Sequence, residues 1–134
     1  MTAITIVDNE SITVQCLPER GIIYHTIHAP IGGQPLRDAL LAGSEALKEH
    51  RATKWLSDDR KNGPLSAEDA EWGSTVWHRQ TIALGWKYWA LVVPEALEAA
   101  GAMSPVIDSL YALGLRMRVF SKLEDAFAWL DSVE

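Results

Sequence analysis

Lys54-Trp55-Leu56-Ser57-Asp58-Asp59-Arg60-Lys61-Asn62-Gly63-Pro64-Leu65-Ser66-Ala67-Glu68-Asp69-Ala70-Glu71-Trp72 places an apolar strand end, a polar loop and a helix start next to one another. Residues 52–58 read as a strand. Pro64-Leu65-Ser66 then opens a helix with Ser66 as N-cap and Asp69 as its third residue, where a carboxylate also favours the helix dipole. A strand that runs through a loop into a helix is the building step of α/β domains, and their sites gather at such junctions. This junction gathers Ser57, Asp58, Asp59, Arg60, Lys61, Ser66 and Asp69. It matches no catalytic motif.

Working outward toward the C-terminus, a projection at roughly 100° per residue puts Trp72, Val76, Trp77, Ala83 and Leu84 in one apolar arc of that helix. Glu68, Glu71 and His78 fall outside the arc. Gly73 lies inside it and is expected to let helix and sheet approach closely, and Gly85 is a stop signal. Residues 87–94 are almost continuously apolar, as for a central strand covered on both faces. Ser104-Pro105 reads as an N-cap followed by proline at the first position of a helix that runs through Leu113 and that Gly114 ends. Residues 115–120 alternate as a strand, and Ser121-Lys122-Leu123-Glu124 reads as a capping box for a closing helix.

Toward the N-terminus, residues 11–17 and 21–29 are rich in β-branched side chains and flank the turn Pro18-Glu19-Arg20-Gly21, which predicts a hairpin. Residues 3–7 are a candidate further strand. From Pro35 the period becomes helical, with Leu36, Leu40, Gly43 and Leu47 forming one stripe that ends near His50. The expected fold is thus α/β, a single domain over residues 1–134 in the order ββαβαβαβα. Its sheet is mixed and mostly parallel, with four to five strands and helices packed on it.

A chain of 134 residues can bury a core without disulfides or structural metals, and 48% apolar with 22% charged residues is a globular composition. The net charge of −6 argues against nucleic acid, which calls for a basic face. Cys16 is the only cysteine, so no internal disulfide is expected and the cytoplasm is the natural compartment. Residues 1–8 lack a signal-peptide pattern, and the apolar run 88–94 is too short for a membrane span. Five of the six tryptophans, Trp55, Trp72, Trp77, Trp86 and Trp89, fall in one part of the chain.

The run Thr53-Lys54-Trp55-Leu56-Ser57-Asp58-Asp59-Arg60, the later Gly85-Trp86-Lys87-Tyr88-Trp89-Ala90-Leu91-Val92-Val93-Pro94 and the closing Ala126-Phe127-Ala128-Trp129-Leu130, in this order of elements, resemble bacterial SpoIIAA-like proteins of the STAS superfamily. The resemblance implies a regulatory, mostly non-enzymatic module that binds a protein partner, a nucleotide or a small apolar ligand. It also implies that a serine at the start of the second helix can be phosphorylated. Ser66 matches that position, with Leu65 where the family has an acidic residue and no glycine before Gly73.

Asp58 and Asp59 invite a metal or general-base reading, but adjacent strand residues point to opposite faces, and Arg60 and Lys61 beside them favour a local ion pair and an Asp turn. His25 and His28 are likewise sent apart and read as surface or interface residues, and His78 as solvated. Cys16 reads as a small buried apolar residue. Gly32-Gly33-Gln34-Pro35 can aim free amides at an anion, without a Walker or dinucleotide signature. The tryptophans serve either the core or an apolar groove. No metal or cofactor is expected. The leading reading is a binding module whose surface comprises Trp55, Ser57, Asp58, Asp59, Arg60, Ser66 and Asp69. The alternatives are a small enzyme with Asp58, Asp59 or Asp69 as general base, and a structural homodimer.

Overall fold

Three antiparallel strands open the chain: β1 (Ile4–Asp8), β2 (Ile12–Leu17) and β3 (Ile22–Ile27). The computed structural model describes residues 3–99, 101 and 103–133. The β2–β3 turn closes through Gly21 at φ +68°, whose amide donates to the Leu17 carbonyl at 2.9 Å. This is the left-handed geometry glycine tolerates without strain. Thereafter strands and helices alternate: α1 (Gly33–Glu49), β4 (Lys54–Asp58), α2 (Ala67–Trp72), a π turn (Gly73–Trp77), α3 (His78–Ala83) and β5 (Tyr88–Val92). Two helices, α4 (Glu95–Ala99) and α5 (Ser104–Ala112), lead to β6 (Arg116–Phe120), and α6 (Leu123–Ser132) follows.

The six strands lie in chain order across one mixed sheet, with β3–β4, β4–β5 and β5–β6 parallel. Six strands replace the four to five expected, and the order begins βββ rather than ββ. Residues 3–7 do contribute a strand, because β1 pairs with β2 around an irregularity between Thr5 and Val7. The short α4, whose described side chains include no buried residue, has no counterpart in the expected order.

Side-chain alternation sorts the sheet into two cores. Ile23, Trp55, Trp89, Leu91 and Met117 face one side, where α1, the π turn and α5 cover them with Leu36, Leu40, Leu47, Trp77 and Leu110. Ile22, Leu56, Ala90, Val92 and Phe120 face the other, where α6 supplies Ala126 and Leu130. Close approach of helix and sheet occurs at Gly43 of α1, where a Cβ would stand 2.5 Å from Cη2 of the fully buried Trp55. Gly73 has no such role: a Cβ there would meet only His78, at 4.0 Å.

Two helix starts differ from the expected caps. Met103 is the N-cap of α5, so Ser104 and Pro105 both lie in its first turn. Lys122 is the N-cap of α6 without a side-chain cap bond, so the helix begins one residue late for a Ser121 capping box. Ser66 caps α2 as expected, accepting from the Asp69 amide at 3.1 Å.

Candidate functional site

The two cores are unequal, and on the larger face the helices leave a space. A cavity of about 770 Å³ lies between the sheet and α1, the π turn and α5. The sheet contributes His25 and Ile27 from β3, Ser57 from β4, and Trp89 and Leu91 from β5, with Asp59 just past the end of β4. Leu36 and Leu40 of α1 and Val106, Leu110 and Leu113 near α5 form apolar walls. Leu65 and Leu113 also line it while 51% and 38% exposed, which marks an apolar opening to solvent. The volume falls within the range of small-molecule sites.

Polar groups on the sheet side are held by tryptophans. The Trp55 indole N–H donates to Nδ1 of His25 at 3.0 Å, and Nε2 of His25 lies 2.7 Å from Oδ1 of Asp59. Because an indole only donates, Nδ1 must accept, and the remaining imidazole proton sits on Nε2 and donates to the carboxylate. His25 is therefore a neutral imidazole that orients Asp59 without cancelling its charge. One strand over, the Trp89 indole donates to Oγ of the fully buried Ser57 at 2.9 Å. The Ser57 hydroxyl proton has no acceptor among the described residues, and Oδ2 of Asp59 likewise has no partner among them.

Ser57, His25 and Asp59 share a site yet cannot work as a nucleophile–base–acid set. Both ring nitrogens of His25 are committed, so none is left to receive the Ser57 proton.

Asp69 lines the same cavity with its charge already answered. Oδ2 accepts from the Gly33 amide at 3.0 Å and Oδ1 from Arg37 at 3.2 Å. The Gly33 amide holds its carboxyl below the usual range against the opposing effect of burial, with smaller help from Arg37 and Ser66. A Cβ on Gly32 would sit 2.9 Å from Oδ2, so the glycine pair makes room for this carboxylate. The anion at the start of α1 is thus the protein's own side chain. Arg37 also lies over the Trp72 ring at 5.4 Å, and its Nε is buried without a partner among the described residues.

The opposite wall owes its form to the π turn. Ser74 and Thr75 donate their hydroxyls to the Glu71 carbonyl at 3.1 and 2.7 Å, and the His78 amide bonds to the Gly73 carbonyl five residues back. Glycine and back-bonding hydroxyls weaken the α ladder here. The wider turn acts as one inserted residue, setting every later side chain back by about 100° around the axis. Ala83, expected in the apolar arc, is consequently exposed, and Thr81 is fully buried with its hydroxyl 2.7 Å from that of Ser44.

His78, expected in solvent, turns inward by the same slip. Its ring packs against Trp77, Trp86 and Trp89 at 5.1 to 6.1 Å between centroids, and the residue is 9% exposed. Burial lowers its pKa to about 4, so it is neutral at pH 7. It lines the cavity and neither ring nitrogen has a partner among the described residues.

The junction residues therefore separate. Ser57, Asp59 and Asp69 line the cavity, and Trp55, Asp58, Arg60 and Ser66 do not. Trp55 is fully buried behind His25 and presents no surface. Asp58 points to the α6 face and is held by Arg60 in a two-pronged ion pair at 2.9 and 2.7 Å, the local pairing its neighbours predict. Ser66 is exposed, with its oxygen occupied by the cap. His25, read as a surface residue, is 3% exposed because β3 is covered by α1. His28 does lie outside, bonded to Thr13 at 2.7 Å. Cys16 is buried as expected, and burial raises its thiol pKa.

His25 and His78 are the residues that sequence reasoning misplaced, although Ser74-Thr75 after Gly73 was a readable sign of a helix irregularity. Among the described residues, no group of three or more His, Cys, Asp or Glu is placed to hold a metal, and no helix is long and apolar enough to cross a membrane. No family model, curated protein or solved structure matches this chain.

Proposed function

We propose that this protein is a non-enzymatic, SpoIIAA-like binding module that holds a small, largely apolar molecule between its sheet and the helices α1, α2–α3 and α5. The observation that carries this reading is the cavity of about 770 Å³, apolar-walled and open between Leu65 and Leu113, with buried polar groups that still have bonding capacity. Cores close-pack, and a space of this size costs stability unless something occupies it. A general base is less well supported. Asp58 is locked on the opposite face by Arg60, and Asp69 has both oxygens engaged.

Titration with decanol, read by tryptophan fluorescence, tests the reading because Trp72, Trp77 and Trp89 line the space. Saturable binding is expected. Ala70→Trp, at an exposed position on the cavity rim, should weaken it about tenfold without lowering stability. Absence of binding to the unaltered protein would overturn the reading.

Ser66 is proposed as a switch position on its exposure and its place at the α2 N-terminus. A phosphate there would meet favourable amides and unfavourable Glu68 and Asp69. A phosphopeptide scan of protein recovered from its cells, with phosphate found at Ser66, is the expected result; a serine that stays unmodified would remove the switch.

A further inference from the structure

The polar end of the cavity has a sign. Four titratable groups face it: His25, Asp59, Asp69 and His78, with Arg79 exposed among the lining residues. Asp69 is offset by Arg37. His25 is a neutral donor by its bonds to Trp55 and Asp59, and it leaves the Asp59 charge in place. His78 is kept neutral by burial. Arg79 is a solvated cation whose field water and salt screen. What remains is one uncompensated carboxylate, Asp59, about one-third exposed, with an oxygen that has no partner among the described residues.

The surroundings of that carboxylate are those a cation prefers. Trp72, Trp77 and Trp89 supply aromatic surface to the lining, and aromatic faces attract cations. The Trp72 ring already carries the Arg37 guanidinium at 5.4 Å. The neutral His78, nine-tenths buried and without a hydrogen-bond partner among the described residues, adds an acceptor nitrogen on the helix side, and the Ser57 hydroxyl adds another polar group on the sheet side. No lining residue offers a fully buried, unpaired cation to an anionic ligand.

Resting on the cavity reading above, we infer that the ligand is an amphipathic organic cation, an ammonium group on an apolar body, with its nitrogen against Asp59 and its body between the tryptophans and α5. A charge-assisted hydrogen bond in a partly dry site is worth roughly twice a neutral one. The charged head therefore selects among ligands that share the same tail.

Three probes with one tail, decylammonium, decanol and decanoate, titrated at pH 7 below their micelle concentrations, separate the claims. The expected order is decylammonium about tenfold tighter than decanol, with decanoate weakest. Asp59→Asn keeps a carbonyl acceptor for His25 and should collapse the ammonium-to-alcohol ratio to about one. Decanol binding as tightly as decylammonium, or a preference that survives in Asp59→Asn, would overturn this inference and leave the cavity reading standing. Failure of all three probes would overturn both. The comparison in the unaltered protein decides the matter even if the variant does not fold.

Discussion

His78 is a histidine kept neutral by its neighbours, and that has a consequence for stability. In the unfolded chain its imidazole takes up a proton near pH 6.5; in the fold it does so only near 4, because burial penalises the charge. Between these values the unfolded state binds more protons, so stability present above pH 6.5 is lost as the pH falls toward 4. The expected loss is about 3 kcal/mol across that window, on the order of 1.4 kcal/mol per unit. Urea denaturation at pH 7.5 and 4.5 measures it, and His78→Gln should flatten the dependence. Asp69 acts in the same direction, but because its pKa is lowered its stabilisation persists across this window and is lost only as the pH falls below the usual carboxylate range. Residue chemistry of this kind was half legible. The polarity of Ser57, Asp59 and Asp69 was visible in the chain, and the commitment of His25 to Trp55 and Asp59 was not, because those partners lie some thirty residues away.

At the scale of elements, the helical segment between β4 and β5 decides which side chains meet the cavity. Up to Trp72 its periodicity is that of an α-helix; after Gly73–Trp77 the phase has moved by one residue. Deleting the exposed Ser74 removes the inserted residue and should leave a continuous α-helix with His78, Thr81 and Ala83 on their present faces. The Ser44–Thr81 contact at 2.7 Å and the Trp77 indole bond to Ser44 at 3.1 Å should therefore survive together. Thermal unfolding should show a change below about 1 kcal/mol, with decanol binding retained. A loss of about 2–6 kcal/mol, as for two broken buried bonds with unsatisfied partners, would mean that the turn does not act as a single inserted residue. The strands and α1 were readable because their patterns are uniform. A single π turn leaves the composition unchanged while displacing everything after it.

Across the whole molecule, the two faces of the sheet do different work. One face is covered by α6, which Lys54 ties to the Leu130 carbonyl at 2.5 Å and Arg20 to Asp131 at 2.6 Å. The other is spread over α1, the π turn and α5, and there the cavity remains. Leu130 is fully buried on the closed face. Leu130→Ala should therefore cost about 2–5 kcal/mol in urea unfolding. Decanol affinity should change less than twofold, since distant sites contribute almost independently. A parallel loss of affinity would mean that the faces are coupled through the sheet. The strand order carries the same lesson for location. The described strands follow one another across the sheet in chain order, so the winding never turns back on itself and makes no crevice at a switch point. The site instead lies under the crossover helices.

The sequence by itself determined the α/β class, most element positions, the Ser66 cap, the Asp58–Arg60 pairing and the burial of Cys16. Each of these rests on local periodicity, a few neighbouring residues or the polarity of one side chain. Only the tertiary structure decided which part of the junction matters. Adjacent residues at the end of β4 go to opposite sides of the sheet, and the helices laid on one face leave a space there, so Asp59, just past the strand, borders a cavity while Asp58, its last residue, is sealed against Arg60. Whether a polar residue meets solvent, a core or an open site depends on what the rest of the chain places above it, and that long-range packing is absent from any local stretch of sequence.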